Sequence, residues 1–78
     1  MEINFEIKSR GSMLISYGNR NALISGELTF EPPVFYADLN SFKNWNPPFD
    51  NETISEDEKK KIINYIMSIN SPTKIVFE

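Results

Sequence analysis

EINFEIKSRGSMLISYGNRNALISGELTF, residues 2–30, decides the fold. Its opening, Glu2-Ile3-Asn4-Phe5-Glu6-Ile7-Lys8, alternates polar and apolar at every step. That is the period of a strand with one buried face, so Ile3, Phe5 and Ile7 are expected to point inward. The next run, Met13-Leu14-Ile15-Ser16-Tyr17, must place its larger apolar set on the same face, and the parity of the connection decides whether it can. A two-residue turn at Arg10-Gly11 would pair Ile7 with Leu14 and turn Met13 and Ile15 away. A three-residue loop, Ser9-Arg10-Gly11, pairs Ile7 with Met13, Phe5 with Ile15 and Ile3 with Tyr17, and it asks for φ > 0 at Gly11. The second arrangement keeps one continuous apolar face and is the expected one.

Gly18-Asn19-Arg20-Asn21 has the composition of a tight turn, because glycine and asparagine tolerate the left-handed region at least cost. With Asn19-Arg20 central, Tyr17 pairs with Ala22, Ile15 with Ile24 and Met13 with Gly26, and the inward alternation runs on through Leu28 and Phe30. Pro32-Pro33 removes two backbone donors and ends this third strand; Val34-Phe35-Tyr36-Ala37 is a fourth, with Phe35 inward. Residues 39–53 form a long connection rich in Asn, Pro and Ser that still carries Phe42, Trp45 and Phe49. Ser55-x-x-Glu58 has capping-box spacing and marks a helix start; Glu56 to Lys60 and Asp57 to Lys61 are i,i+4 pairs in the favourable order. Ile62, Ile63, Ile66, Met67 and Ile69 make one helical face, Asn70 and Pro72 stop it, and Thr73-Lys74-Ile75-Val76-Phe77 is a last short strand. The expected fold class is α+β over a single domain, 1–78: an antiparallel β-meander of four strands, one amphipathic helix packed on one face, and a short C-terminal strand, β-β-β-β-α-β. The other sheet face would carry Leu14, Leu23 and Tyr36, which leaves self-association through it open.

Composition narrows the chemistry. At 78 residues with 40% hydrophobic and 24% charged, this is an ordinary globular chain. It has no cysteine and no histidine, which removes disulfides, thiolate or imidazole metal sites and His-based acid–base relays. Asp50, Glu52, Glu56, Asp57 and Glu58 are the densest carboxylates, but Ile54 and Ser55 interrupt them and no glycine turn supports a calcium loop. Three glycines cannot build a phosphate-cradling loop. No enzyme, no cofactor and no metal are therefore expected. No apolar run is long enough to span a membrane and no leader is visible, so a cytoplasmic protein without membrane association is expected. Lys8, Arg10 and Arg20 do not interleave with stacking rings, so nucleic-acid binding is not expected either.

Charge is uneven. Between Glu27 and Glu58 stand eight acids against one base, Lys43, an arrangement suited to a basic protein partner. The 39–54 segment and the helix start are where large aromatics sit among prolines and acids. The expected partner surface has Trp45 and Phe49 as partly exposed anchors and Asp50, Glu52, Glu56 and Asp57 as a charged rim.

Gly26-Glu27 in one strand, Phe35 in the next, Ser41 shortly before Trp45-Asn46-Pro47-Pro48, Ile54 ahead of a helix with Ile62-Ile63, and the terminal Ile75-Val76-Phe77 together form a recognisable succession. In these features the chain resembles the small immunity proteins encoded beside bacterial polymorphic toxins, over nearly its whole length. The resemblance implies a non-enzymatic protein that binds and neutralises a toxin domain, without a cofactor. The alternative is a self-associating structural or regulatory module of the same fold, such as a homodimer, with no toxin partner.

Overall fold

The computed structural model describes residues 2–78. Its elements are β1 (Ile3–Ser9), β2 (Ser12–Tyr17), β3 (Arg20–Thr29), β4 (Val34–Ala37), a 3-10 turn (Leu39–Ser41), α1 (Glu56–Ser68) and β5 (Lys74–Phe77). The strands form one sheet in the order β1-β2-β3-β4-β5. The first four make an antiparallel meander, and β5 joins β4 in parallel through the helix. The α+β class and the element order expected from the sequence hold.

β1 and β2 pair as the alternation requires: Ile3 with Tyr17, Phe5 with Ile15, Ile7 with Met13. The means differs from expectation. The connection is a two-residue turn, Arg10-Gly11, between paired Ser9 and Ser12, and a bulge at Lys8 supplies the odd residue. Gly11 does not take a positive φ; positive φ falls on Gly18 (62°) and Glu31 (64°). With parity absorbed inside the strand, the loop has no need of a left-handed residue. Its carbonyls instead accept from the neighbouring strand, Arg10 from Leu28 N–H at 2.8 Å and Gly11 from Gly26 N–H at 3.0 Å.

The β2–β3 register also differs. Tyr17 pairs with Arg20, Ile15 with Ala22 and Met13 with Ile24, two residues from the expected partners. Gly18-Asn19 is the turn, with glycine at the position of positive φ. A two-residue shift keeps every side chain on its face, so Ala22 and Ile24 are still buried. The alternation stops at Leu28. Phe30 is not inward: it follows the last residue of β3, is 60% exposed, and lies under the Arg10 guanidinium, 5.3 Å from its ring centre.

β3 is longer than either neighbour. Residues 20–25 pair with β2, whereas β4 pairs only with Gly26–Thr29. The backbone left over on the β4 side is taken up by the following segment. Asp38 N–H donates to the Ser25 carbonyl at 2.8 Å, Ser41 Oγ accepts from Ser25 N–H at 2.8 Å, and Asn46 N–H donates to the Asn21 carbonyl at 2.7 Å. Gly26 stands at the change of partner, where a Cβ would overlap the Tyr36 carbonyl oxygen and the Phe35 ring. Glycine is required there by close approach.

The core lies on one face of the sheet. Met13, Ile15, Ile24 and Phe35 are fully buried beneath Ile62 and Ile66 of α1 and beneath Phe42, Trp45 and Ile54 of the connecting segment. Cover is therefore shared between helix and loop. α1 packs against both β1 and β5. Its start is the expected capping box: Ser55 Oγ accepts from Glu58 N–H and Glu58 Oε1 from Ser55 N–H, both at 3.1 Å. The buried stripe is narrower than the sequence suggests, since Met67 and Ile69 are exposed. Glu56 pairs with Lys59 at 3.4 Å and not with Lys60, and no ion pair joins Asp57 to Lys61 among the described residues. Among the described residues no helix is long and apolar enough to cross a membrane.

Candidate functional site

The 42–54 segment is a compact hairpin. Ile54 N–H donates to the Lys43 carbonyl at 2.8 Å, Asn44 and Thr53 form a bridge, and Asn44 Nδ2 donates to the Glu52 carbonyl at 3.2 Å. The tip is closed by Phe49 N–H to the Asn46 carbonyl and Glu52 N–H to the Phe49 carbonyl, each 3.0 Å. Local bonding of this kind orders a connection that is otherwise long for so small a domain.

Trp45, expected as a partly exposed anchor, is a core residue with 2% of its surface accessible. Its ring stacks on Tyr17, centroids 6.0 Å apart and planes 5° from parallel, and meets Phe42 edge-on at 6.4 Å. The physical reason is geometric. The Asn46–Asn21 backbone bond holds the segment against the end of β3, and the preceding side chain falls onto the Tyr17 face. Trp45 therefore supports the surface above it from within the core.

Phe49 is partly buried, packed against the core on one side. On the other lies Arg20, whose guanidinium carbon is 4.5 Å from the ring centre. The same guanidinium donates through Nε to Glu52 Oε1 at 3.0 Å and through Nη2 to Oε2 at 3.3 Å. Arg20, Phe49 and Glu52 thus form one unit. With side chains 26% and 43% exposed, the ion pair is screened by water and contributes about 1 kcal/mol or less. Its larger effect is orientation, since a planar guanidinium fixes both ring and carboxylate. Arg20 has no local signal in the sequence, because Glu52 is 32 residues away.

The remaining rim acids differ. Asp50 is exposed at the hairpin tip, and Glu56 and Asp57 are exposed in the first helical turn. Among the described residues their side chains make no hydrogen bond to the Arg20 unit. Glu58 is engaged in the capping box. The structure therefore joins Phe49 to Glu52, leaves Asp50, Glu56 and Asp57 on the surface, and removes Trp45 to the interior.

Among the described residues no group of three or more acids is placed to hold a metal ion, and no charged or polar residue is buried. The surface can offer an aromatic edge, a fixed guanidinium–carboxylate pair and solvated carboxylates. Compared with curated proteins and with solved structures, the chain matches none. The model of one protein family, described as Immunity protein 74 (Imm74), matches residues 4–78, almost the full length, and the chain belongs to that family.

Proposed function

We propose that the protein binds a toxin domain and blocks it stoichiometrically, without catalysing a reaction. Membership of an immunity-protein family is the observation that carries this reading. The composition supports it, since a chain with no histidine or cysteine has neither the commonest general base nor a thiolate nucleophile.

The hairpin tip and helix start are the proposed partner surface. Phe49 is its anchor, Asp50, Glu56 and Asp57 are its free charges, and Glu52 acts through its pair with Arg20. Trp45 holds the hairpin from beneath. Free rim acids chiefly raise the association rate with a basic partner and make it salt-sensitive, while the anchor governs release. Co-expression with the toxin domain encoded next to this chain tests the function: growth should be restored by the intact protein. Equal killing with and without it would sink the reading. The rival, a self-associating module, draws on Leu23, which is 52% exposed on the uncovered sheet face. A stable homodimer in sedimentation, with no heterologous partner, would favour it.

A further inference from the structure

The sheet face opposite α1 is uncovered. Leu14 and Leu23 are a cross-strand pair on it, and Tyr36 stands opposite Glu27 across the β3–β4 interface. Tyr36 is 36% exposed. Around it lies a depression of about 670 Å³, open to solvent, lined among others by Ser25, Gly26, Glu27, Tyr36, Asp38 and Glu78. Apolar surface of this kind can receive a second copy or a different protein, and the charges decide between them.

Glu27, Asp38 and Glu78 all line the depression, and among the described residues none has a base within ion-pair distance. Asp38 accepts a hydrogen bond from Asn40 N–H at 2.9 Å, which leaves its negative charge uncompensated. Two bases lie near by backbone pairing: Arg10, whose carbonyl accepts from Leu28 N–H beside Glu27 but whose guanidinium sits over Phe30, and Lys74, on the same face of β5 as Val76, the partner of Tyr36. In a two-fold dimer through this face the three carboxylates would approach their own copies, at a cost in repulsion that the one lysine of the edge strand, Lys74, offsets only in part. A cationic partner meets the opposite situation. The phenol ring offers a face for a guanidinium or ammonium group, and carboxylates surround it.

We propose that this depression receives an arginine or lysine side chain presented by a basic partner protein, with Tyr36 as the stacking contact and Glu27, Asp38 and Glu78 as counter-charges. The contact is distinct from the hairpin tip. It rests on the toxin-binding reading for the partner's identity, and not for the chemistry of the site.

The test is an NMR titration of the full chain with acetylated hexa-arginine amide at low and at physiological salt. Shifts should concentrate at residues 25–27, 36 and 38 and weaken with salt. The double variant E27Q/D38N should bind about tenfold more weakly while keeping a native spectrum, since asparagine at 38 can still accept from Asn40 N–H. Tyr36→Ser should weaken binding similarly, and the charge variant decides if the serine variant does not fold. Shifts confined to residues 49–57, or unaltered affinity of E27Q/D38N, would overturn the proposal. So would a dimer in sedimentation that Tyr36→Ser dissociates and hexa-arginine leaves intact. Co-expression separates this from the broader function. If the intact protein fails to protect, toxin binding is wrong and the peptide result still stands or falls alone. If it protects and E27Q/D38N protects equally, this contact is wrong.

Discussion

Replacing Trp45 by alanine removes the residue that ties the hairpin to the sheet. A tryptophan of which 2% remains accessible hides close to the upper end of the 150–250 Å² that aromatic side chains bury, or roughly 4–6 kcal/mol at about 25 cal/mol per Å². Alanine keeps part of that burial, and the compactness of unfolded chains lowers the figure further, whereas the vacated cavity and the lost Tyr17 stacking raise it. The net expectation is about 4 kcal/mol, inside the roughly 3–5 kcal/mol range of large aromatic truncations. A 78-residue domain has a total stability on the order of 4–12 kcal/mol, so Trp45→Ala leaves little or no folded protein at the lower end. Urea unfolding followed by circular dichroism measures the loss. In the parent protein the sole tryptophan, Trp45, reports the same transition by a red shift of its emission. Trp45→Phe, which retains an aromatic on Tyr17, should lose less than half as much. A loss below about 1 kcal/mol for Trp45→Ala, with an unchanged denaturant slope, would refute the assignment of this residue to the core.

Gly26→Ala should destabilise by about 2 kcal/mol or more, because the Tyr36 backbone cannot yield as a flexible side chain would; Gly11→Ala, whose Cβ would sit 3.7 Å from the Gly26 carbonyl oxygen, should cost far less, and the two midpoints compared by thermal melting check this. Ser55→Ala removes the acceptor for Glu58 N–H and should cost about 1 kcal/mol in the same assay, with Ser55→Asp restoring most of it. In a double-mutant cycle, Arg20→Ala and Glu52→Ala should couple by about 0.5–1 kcal/mol in stability. Phe49→Ala should weaken binding to a purified toxin domain by at least about 2 kcal/mol while leaving the fold intact, and a variant that binds as tightly as the parent would remove Phe49 from the interface.

Legibility of the candidate site in the sequence followed the range of the interactions. Ser55 and Glu58 are three residues apart, and their reciprocal bonds could be read from spacing alone. Phe49 and the acids of the hairpin tip were identifiable as a cluster of types. What Glu52 does with its charge was not, because its partner lies two strands back in the chain. Trp45 illustrates the opposite difficulty: a tryptophan among prolines and asparagines has the same local pattern whether it faces solvent or folds inward.

Period-two alternation from Ile3 to Leu28 by itself determined which side chains share a face, and with it the meander, while the capping-box spacing of Ser55 and Glu58 and the apolar stripe after it determined the covering helix. It could not determine how that face was achieved. A three-residue loop and a two-residue turn with a bulge at Lys8 satisfy the same parity, and only the packed sheet selects the bulge. A shift of two residues between β2 and β3 is likewise invisible to alternation, since it changes every partner and no facing. That shift brings Arg20 into the strand opposite Tyr17, where it reaches Phe49 and Glu52. The burial of Trp45 was decided by the backbone of β3, left unpaired where β4 ends. Peptide groups removed from water must find partners, and residues 38–46 supply them by lying against the sheet and carrying the indole into the core.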